Sequence, residues 1–501
     1  MSFIQKFGFV IGILIIIFIL IFVDLDPANP LLTKMAAVAA LMAVWWITEA
    51  VPLAATSLVP LVLFPVLGIL DGEKTANTYV NSVIFLFLGG FLLALAMERW
   101  GLHKRIALKI ITLFGGSPNS IVIGFMASTA FLSMWISNTA TAIMMLPIAL
   151  AIISKMESEF GKSKTHNFSV TILIAIAYSC SLGGICTLIG TPPNLAFVRI
   201  LKIIFPNSPQ IGFGTWMVLA TPIAAIMLIV AAILLTKVFF KFDKNLNIDR
   251  NFIREEYKSL GKISFEELTI AIVFSVTALL WIFRTDMNLG FIVIPGWQNL
   301  FSKTDYLNDG TVAIGMALLL FFIPSRKDEM EKKTILDVSV FNKVPWGIIL
   351  LFGGGFALAE GFTSTGLSKF IGENLQSLSH LSPVLIVITV AFVMTFLTEL
   401  TSNTATAQMI LPIMASVSAA ILLNPLLLMI TATFSASMAF MLPVATPPNT
   451  IIFASERIRI IEMAKVGIVM NLIGVAVISI LVYLIGTVLF ELNEFPWWAS
   501  K

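Results

Sequence analysis

The pentapeptide Ser-Asn-Thr-Ala-Thr stands twice in this chain, at Ser137–Thr141 and Ser402–Thr406, each time inside a long apolar stretch. Around it, Phe131–Ile148 and Phe396–Ile413 match at 12 of 18 positions without a gap. The same offset of 265 superimposes Gly89-Gly90-Phe91 on Gly354-Gly355-Phe356 and Gly101-Leu102 on Gly366-Leu367. A second motif follows each copy: Gly190-Thr191-Pro192-Pro193-Asn194 and Ala445-Thr446-Pro447-Pro448-Asn449. Apolar packing alone has no use for serine, asparagine and threonine in a row, twice. The duplication predicts two related membrane halves, each carrying a polar element to a shared centre.

The rest of the chain leaves little room for a soluble fold. Of 501 residues, 58% are hydrophobic and 12% charged, the balance of a polytopic all-α membrane protein. The alternation of a membrane β-barrel is absent, since the apolar runs are continuous and helix-length. Phe7–Val23 lacks the preceding charge and the small-x-small site of a signal peptide, and reads as an uncleaved first span. Cys180 and Cys186 share one apolar segment and read as small packing residues, not a disulfide framework.

Hydropathy places crossings near 7–23, 34–50, 51–70, 80–99, 170–205, 216–240, 267–284, 309–323, 346–364, 426–455 and 463–491. Two further apolar stretches, 120–153 and 383–424, carry the Ser-Asn-Thr triplets near their middle. A polar triplet is tolerated there if the segment enters the membrane, turns and returns on the same side. The expectation is eleven crossings and two re-entrant hairpins. With the N-terminus inside, Lys6 and the segments 99–118, 154–168, 237–266, 324–345 and 456–465 hold 23 of the 31 Lys and Arg residues, as the positive-inside rule asks. Gly101–Phe114 reads as a basic amphipathic helix on the cytoplasmic surface. Five crossings separate residue 84 from its mate 349, so the halves are expected to be inverted and their hairpins to meet from opposite faces.

The motifs define the candidate chemistry. Ser137, Asn138, Thr139, Ser402, Asn403 and Thr404 offer hydroxyl and amide groups where one helix ends and the next begins. A helix start presents free N–H groups and partial positive charge, suited to a carboxylate, and two facing tips suit an anion with a negative group at each end. The Pro-Pro pairs lack N–H donors, so they are expected to interrupt their helices and leave carbonyls unpaired. Such carbonyls, with Ser, Thr and Asn oxygens, are the neutral ligands sodium accepts. Neither motif pair holds Lys or Arg, which makes bound Na⁺ the simplest source of positive charge beside an anion. His103, His166 and His380 fall in loops or surface helices, and no nucleophile–base pair or metal cluster supports an enzyme. Three acids lie in or near apolar spans. They are Glu49, Glu360 and Glu399; Glu399 is expected to hydrogen-bond hairpin backbone rather than to couple protons, and Glu49 to sit at a tight cytoplasmic turn.

Trp46-Ile-Thr-Glu-Ala-Val-Pro-Leu53, the two SNTAT motifs and the two TPPN motifs together resemble the divalent anion/sodium symporter family, over about residues 45 to 455. The resemblance implies a homodimer in which each protomer has a scaffold and a moving transport domain working as an elevator. Scaffold would fall in 1–119 and 246–382, transport domain in 120–245 and 383–501. It implies one Na⁺ near Ser133, Ser137, Asn138 and Gly190, and a second near Thr398, Thr401, Asn403 and Ala445. Substrate carboxylates would meet Ser137, Asn138, Thr139, Ser402, Asn403 and Thr404, with Thr191, Thr446 and Pro447 lining the pocket. The function implied is Na⁺-coupled import of C4-dicarboxylates such as succinate, malate or fumarate, in a bacterial inner membrane. A Na⁺-independent dicarboxylate exchanger, a sulfate or citrate symporter and, from a different class, an anion channel are the alternatives.

Overall fold

The protein is seen in a computed structural model that describes residues 3–114, 116–242, 250–290, 292–327 and 334–500. Among these the only strands are two-residue pieces, β1 (Met287–Asn288) and β2 (Val293–Ile294), paired antiparallel. Everything else that is regular is helix, as the continuous apolar runs require. Nine helices among the described residues are long and apolar enough to cross a membrane, and shorter apolar helices accompany them. The chain is a multi-pass membrane protein.

The first part contains α1 (Phe3–Phe22), α2 (Pro30–Thr48), α3 (Leu53–Thr56), α4 (Val59–Leu67), α5 (Gly72–Asn77) and α6 (Ser82–Arg99). Helix α1 lies against α2, where Phe9 stacks on Trp45 with ring centroids 5.5 Å apart. Glu49 ends α2 in the left-handed conformation, φ 47°, which is the tight turn expected of it. Asn81 caps α6 by accepting from the Val83 and Ile84 N–H groups.

Helix α7 (Leu102–Phe114) follows, and part of its basic face is not free for a membrane surface. Arg105 is buried and its guanidinium is spent on Glu267, at 2.9 and 3.0 Å, and on the Gly261 and Leu260 carbonyls. A bidentate carboxylate and two carbonyls satisfy an arginine better than a headgroup at the surface would. The expectation of a wholly surface-facing basic helix is corrected to that extent.

Next come the two stretches that carry the repeated motifs. Helices α8 (Pro118–Ser133) and α9 (Asn138–Phe160) are joined by the four residues 134–137. Helices α10 (Lys162–Gly184) and α11 (Pro192–Ile204) are separated by the unwound residues 185–191. After α12 (Phe213–Ile233), α13 (Arg250–Ser259), α14 (Phe265–Ile282), α15 (Asp309–Phe322), α16 (Trp346–Thr365) and α17 (Leu367–Asn374), the pattern returns. Helices α18 (Pro383–Thr398) and α19 (Asn403–Ala420) are joined by the four residues 399–402. Helices α20 (Pro425–Ser435) and α21 (Pro447–Phe453) flank the unwound residues 436–446, and α22 (Ile460–Phe490) closes the chain. Helices α8 and α18 have 16 residues each, a rise of about 24 Å, short of the ~30 Å hydrocarbon layer. That length suits an arm that stops within the membrane.

All eleven expected crossings contain helix, and three are built from two pieces, at 51–70, 170–205 and 426–455. Helix α10 is buried at every position from Phe168 to Gly184, and α20 along its whole length. These two form the axis of the larger apolar core, with α8 and α9 packed on the first and α18 and α19 on the second. A smaller core around Met35, Trp46, Phe64 and Phe362 joins α2, α4, α16 and α17. The 245/246 domain boundary falls outside the described residues.

Candidate functional site

At each hairpin tip two side-chain oxygens of the hairpin meet a backbone carbonyl from the broken segment beside it. Ser133, the last residue of α8, is fully buried, with its hydroxyl 2.7 Å from Asn138 Oδ1 and 2.7 Å from the Cys180 carbonyl. In the second half, the Thr398 hydroxyl lies 2.7 Å from Asn403 Oδ1 and 2.8 Å from the Ala436 carbonyl. A hydroxyl owns one proton, so it can donate to only one of its two acceptor neighbours. Each trio therefore holds more lone pairs than protons, a neutral oxygen set that a small hard cation completes.

Glycine makes the first trio possible. A Cβ on Gly184 would stand 2.5 Å from Asn138 Oδ1. One on Gly190 would stand 2.4 Å from the Gly184 carbonyl and 3.0 Å from the Ser133 carbonyl. Gly190, expected as a cation neighbour, is thus brought against Ser133 and against Gly184, which itself faces Asn138. Ser137 caps α9 by accepting from the Ala140 N–H at 3.3 Å, while Ser402 occupies the same place at α19 without a side-chain cap bond.

Asn138 and Thr139 open α9, and Asn403 and Thr404 open α19, so their backbone N–H groups lie in first turns that have no intrahelical acceptors. Ser137, Asn138, Thr139, Ser402 and Asn403 are half-buried and Thr404 is buried. Thr191 and Thr446 are the N-caps of α11 and α21. Both are buried, and the Thr446 hydroxyl accepts from Asn449 N at 3.3 Å. Pro447 is exposed beside it. Thr401 turns its hydroxyl to the Leu397 carbonyl at 3.0 Å and to the Thr406 hydroxyl, so it is engaged within its own hairpin. Ala445 is buried at the end of the unwound stretch, bonding the Leu442 carbonyl through its N–H.

The Pro-Pro breaks occur where expected, yet several of the carbonyls they free are already paired. Asn194 Nδ2 donates to the Thr187 carbonyl at 2.7 Å and reaches those of Gly184 and Ile185 at 3.4 and 3.3 Å. Asn449 Nδ2 donates to Leu442 and Ala439 carbonyls at 3.0 and 3.2 Å. The last residue of each TPPN motif is therefore a staple across the break. The carbonyls that reach the trios come from one turn earlier, at Cys180 and Ala436.

Glu399 bonds backbone, but not that of its own hairpin. Its carboxylate accepts from the N–H groups of Phe440, Met441 and Leu442 at 2.7, 2.8 and 3.0 Å, and from Asn471 Nδ2 at 2.7 Å. It is 3% exposed and pins the unwound 436–446 stretch to the hairpin tip. Tyr178 helps from the other side, donating to the Phe440 carbonyl at 2.7 Å. Sequence reasoning missed Asn471, Tyr178 and the two carbonyls. A lone asparagine in the apolar run 463–491 was the available signal for the first; a backbone carbonyl leaves no signal in a sequence.

Comparison with known proteins identifies the family of the chain. The family model described as "Sodium:sulfate symporter transmembrane region" matches residues 6–492. A protein of Staphylococcus saprophyticus called sodium-dependent dicarboxylate transporter SdcS is 42% identical over 484 residues, covering 96% of this chain and 91% of that protein. Its namesake in Staphylococcus aureus strain MRSA252 is 42% identical over 494 residues, with 98% and 92% covered. Among solved structures, Neisseria gonorrhoeae MtrF, described as illuminating a class of antimetabolite efflux pumps, superposes with a TM-score of 0.56 at 11% identity, covering 83% of this chain and 86% of that one. The Alcanivorax borkumensis YdaH transporter gives 0.53 at 11%, covering 86% and 90%. These two likenesses concern the fold alone. The full-length family match and the 42% relatives make this chain a member of the divalent anion/sodium symporter family, that of the sodium:sulfate symporters.

Proposed function

We propose that this chain is a secondary transporter that imports C4-dicarboxylates such as succinate, malate or fumarate, driven by the Na⁺ gradient across a bacterial cell membrane. The observation that carries the reading is the mirrored pair of oxygen trios, Ser133–Asn138–Cys180 and Thr398–Asn403–Ala436. Each is set at a hairpin tip and each is short of protons, so each has the donor chemistry of a sodium site. The relatives' name, sodium-dependent dicarboxylate transporter, gives independent support.

Sodium is cargo here, and its charge lets an anion approach tips that hold no Lys or Arg. With both trios filled, the carboxylates of a dicarboxylate meet Ser137, Asn138 and Thr139 on one side and Ser402, Asn403 and Thr404 on the other. The first-turn N–H groups of α9 and α19 face the same charge. Thr191, Thr446 and Pro447 would line the pocket between them. Because Asn138 and Asn403 serve both cargoes, binding of one favours binding of the other, which is the coupling a symporter needs. In this reading 120–245 and 383–501 move as one unit against 1–119 and 246–382, within a homodimer.

The test is labelled succinate uptake into proteoliposomes, with an inward Na⁺ gradient, without one, and with internal succinate. Saturable uptake that requires the gradient is the expected result. Uptake seen only in preloaded vesicles regardless of Na⁺ would make the protein an exchanger, and unsaturable flux a channel. Asn138→Ala and Asn403→Ala should each lower the rate and weaken sodium dependence; wild-type behaviour in both would remove the trios from the mechanism.

A further inference from the structure

Among the described residues, two ionisable groups within apolar spans, Glu360 on α16 and Arg199 on α11, have no hydrogen-bonded partner and act on each other only through space. Arg199 lies on α11, seven residues beyond Pro192, which puts it roughly 10 Å along the helix from the motif that opens it. Its Nε is buried without a hydrogen-bond partner. Among the described residues no carboxylate pairs with it directly; Glu360 on α16 acts on it only electrostatically. A guanidinium carries five donors and does not lose its charge, so an unpaired one inside a membrane protein is costly unless water or an anion meets it.

Arg199 opens into a cavity of about 480 Å³ between the end of α11 and the starts of α6 and α15. Lys202, one turn on, also lines it, with its ammonium near the Pro206 and Ser208 carbonyls. Ser82 and Asn308 supply neutral polar groups. The acid in the lining, Asp309, is already held by Arg284 at 2.5 and 3.3 Å. Counting Arg199, Lys202 and Arg284 against Asp309 and Glu360, the cavity keeps one net positive charge.

We propose that this cavity is a second anion site, in which Arg199 and Lys202 take one carboxylate of a dicarboxylate before it reaches the hairpin tips. The proposal rests on the reading of the cargo as a dicarboxylate. It differs from the tip site in a way that can be measured: the tips have no cationic side chain and need Na⁺, whereas this cavity carries its own charge and does not.

The experiment uses Gln210→Cys, an exposed position on the cavity wall, in protein held in nanodiscs of zwitterionic lipid so that no anionic headgroup competes. Cys180 and Cys186 are buried and give a quiet background. The rate of modification by a charged thiol reagent is followed without Na⁺ while succinate, and separately inorganic sulfate, is added. Both anions are expected to slow labelling, with the half-protecting concentration rising about tenfold on adding Arg199→Gln, the loss of a charge-assisted bond. Lys202→Gln should weaken protection less, and Arg199→Lys should keep part of it. No protection in the parent, or protection equal in parent and Arg199→Gln protein, would overturn the proposal. Should Arg199→Gln not fold, equal protection in the parent and Lys202→Gln proteins would count against it in the same way. Because labelling reads binding without transport, protection by succinate in a protein that fails the uptake test would leave this site standing and remove only the proposed cargo.

Discussion

A single hydroxyl proton shared between two acceptors is the residue-scale feature on which the proposed sodium sites depend. Ser133 and Thr398 are repeat mates at an offset of 265, and both place a hydroxyl on an amide oxygen and a backbone carbonyl. Ser133→Ala and Thr398→Ala should therefore raise the half-saturating Na⁺ concentration. A neutral hydrogen-bonding group contributes about 0.5–1.5 kcal/mol, so the rise is about 2- to 12-fold. Sodium titrations of uptake check this, and an unmoved midpoint in both variants would reduce the hydroxyls to packing. Gly184→Ala separates site from fold. Alanine is the better helix former by about 1 kcal/mol, but its Cβ would meet Asn138 Oδ1 at 2.5 Å. Sodium-driven uptake should collapse while thermal unfolding changes little.

At the scale of elements, the parts most legible in the sequence were those that break a rule of membrane helices. Three polar residues in an apolar run announced a turn, and the hairpins turn at 134–137 and 399–402. Paired prolines announced a break, and both breaks lie just before them. The geometry of the broken stretches was not legible, because it is fixed by partners remote in sequence. Asn194 and Asn449 staple their own breaks, but the second break also needs Glu399 from the hairpin and Asn471 from α22. In the first half Met134 replaces the acid and Thr187 bonds its carbonyl instead, so the repeat did not disclose the contact. Likewise Arg105 reads as one more surface cation until α14 brings Glu267 to it. Glu399→Gln preserves the shape but keeps only one accepting oxygen, so the Phe440 and Met441 N–H groups retain an uncharged acceptor while the Leu442 N–H faces an amide NH2 instead. Bonds to a charged group contribute about 1.5–3 kcal/mol each, so uptake should fall severely, and sodium affinity with it. Glu399→Asp, which retains the charge but is one methylene short, should recover little. Equal activity of Glu399→Gln and parent protein would show that the unwound stretch holds its form unaided.

The whole molecule adds two kinds of contact between distant segments, one that ties the fold together and one that the proposed movement of 120–245 and 383–501 would change. The first kind is Asp337, which reaches Arg99 at the end of α6 at 2.7 Å. The Ser339 hydroxyl first, and then Arg99, draw its carboxyl down to about 2. A carboxylate with a lowered pKa stabilises the fold fully above its unfolded value near 3.9, and that contribution disappears as pH falls through about 2. Between about pH 4 and pH 2 the parent should lose thermal stability faster than Asp337→Asn, with the two curves converging at the acid end. Parallel curves would mean the pair contributes nothing, as many half-exposed ion pairs do.

The contact that the proposed movement would change lies where α19 meets α16. Gln408 is fully buried there with neither side-chain oxygen nor nitrogen bonded, a cost that few native side chains bear. It lies against Gly355, where a Cβ would come within 2.3 Å of its amide carbon. A buried amide without partners makes this arrangement less favourable than its packing alone would, and any shift of α19 along α16 that wets Gln408 relieves the cost. That is the property expected of an interface between a moving and a fixed unit. Replacing the pair with Gly355→Cys and Gln408→Cys removes the bulk of the amide and leaves two sulfurs close enough to bridge. Oxidation should stop sodium-driven succinate uptake, and reductant should restore it, while succinate still binds the oxidised protein. Uptake that continues with the bridge intact would mean that α16 and α19 travel together, and the moving unit would have to be redrawn to include α16.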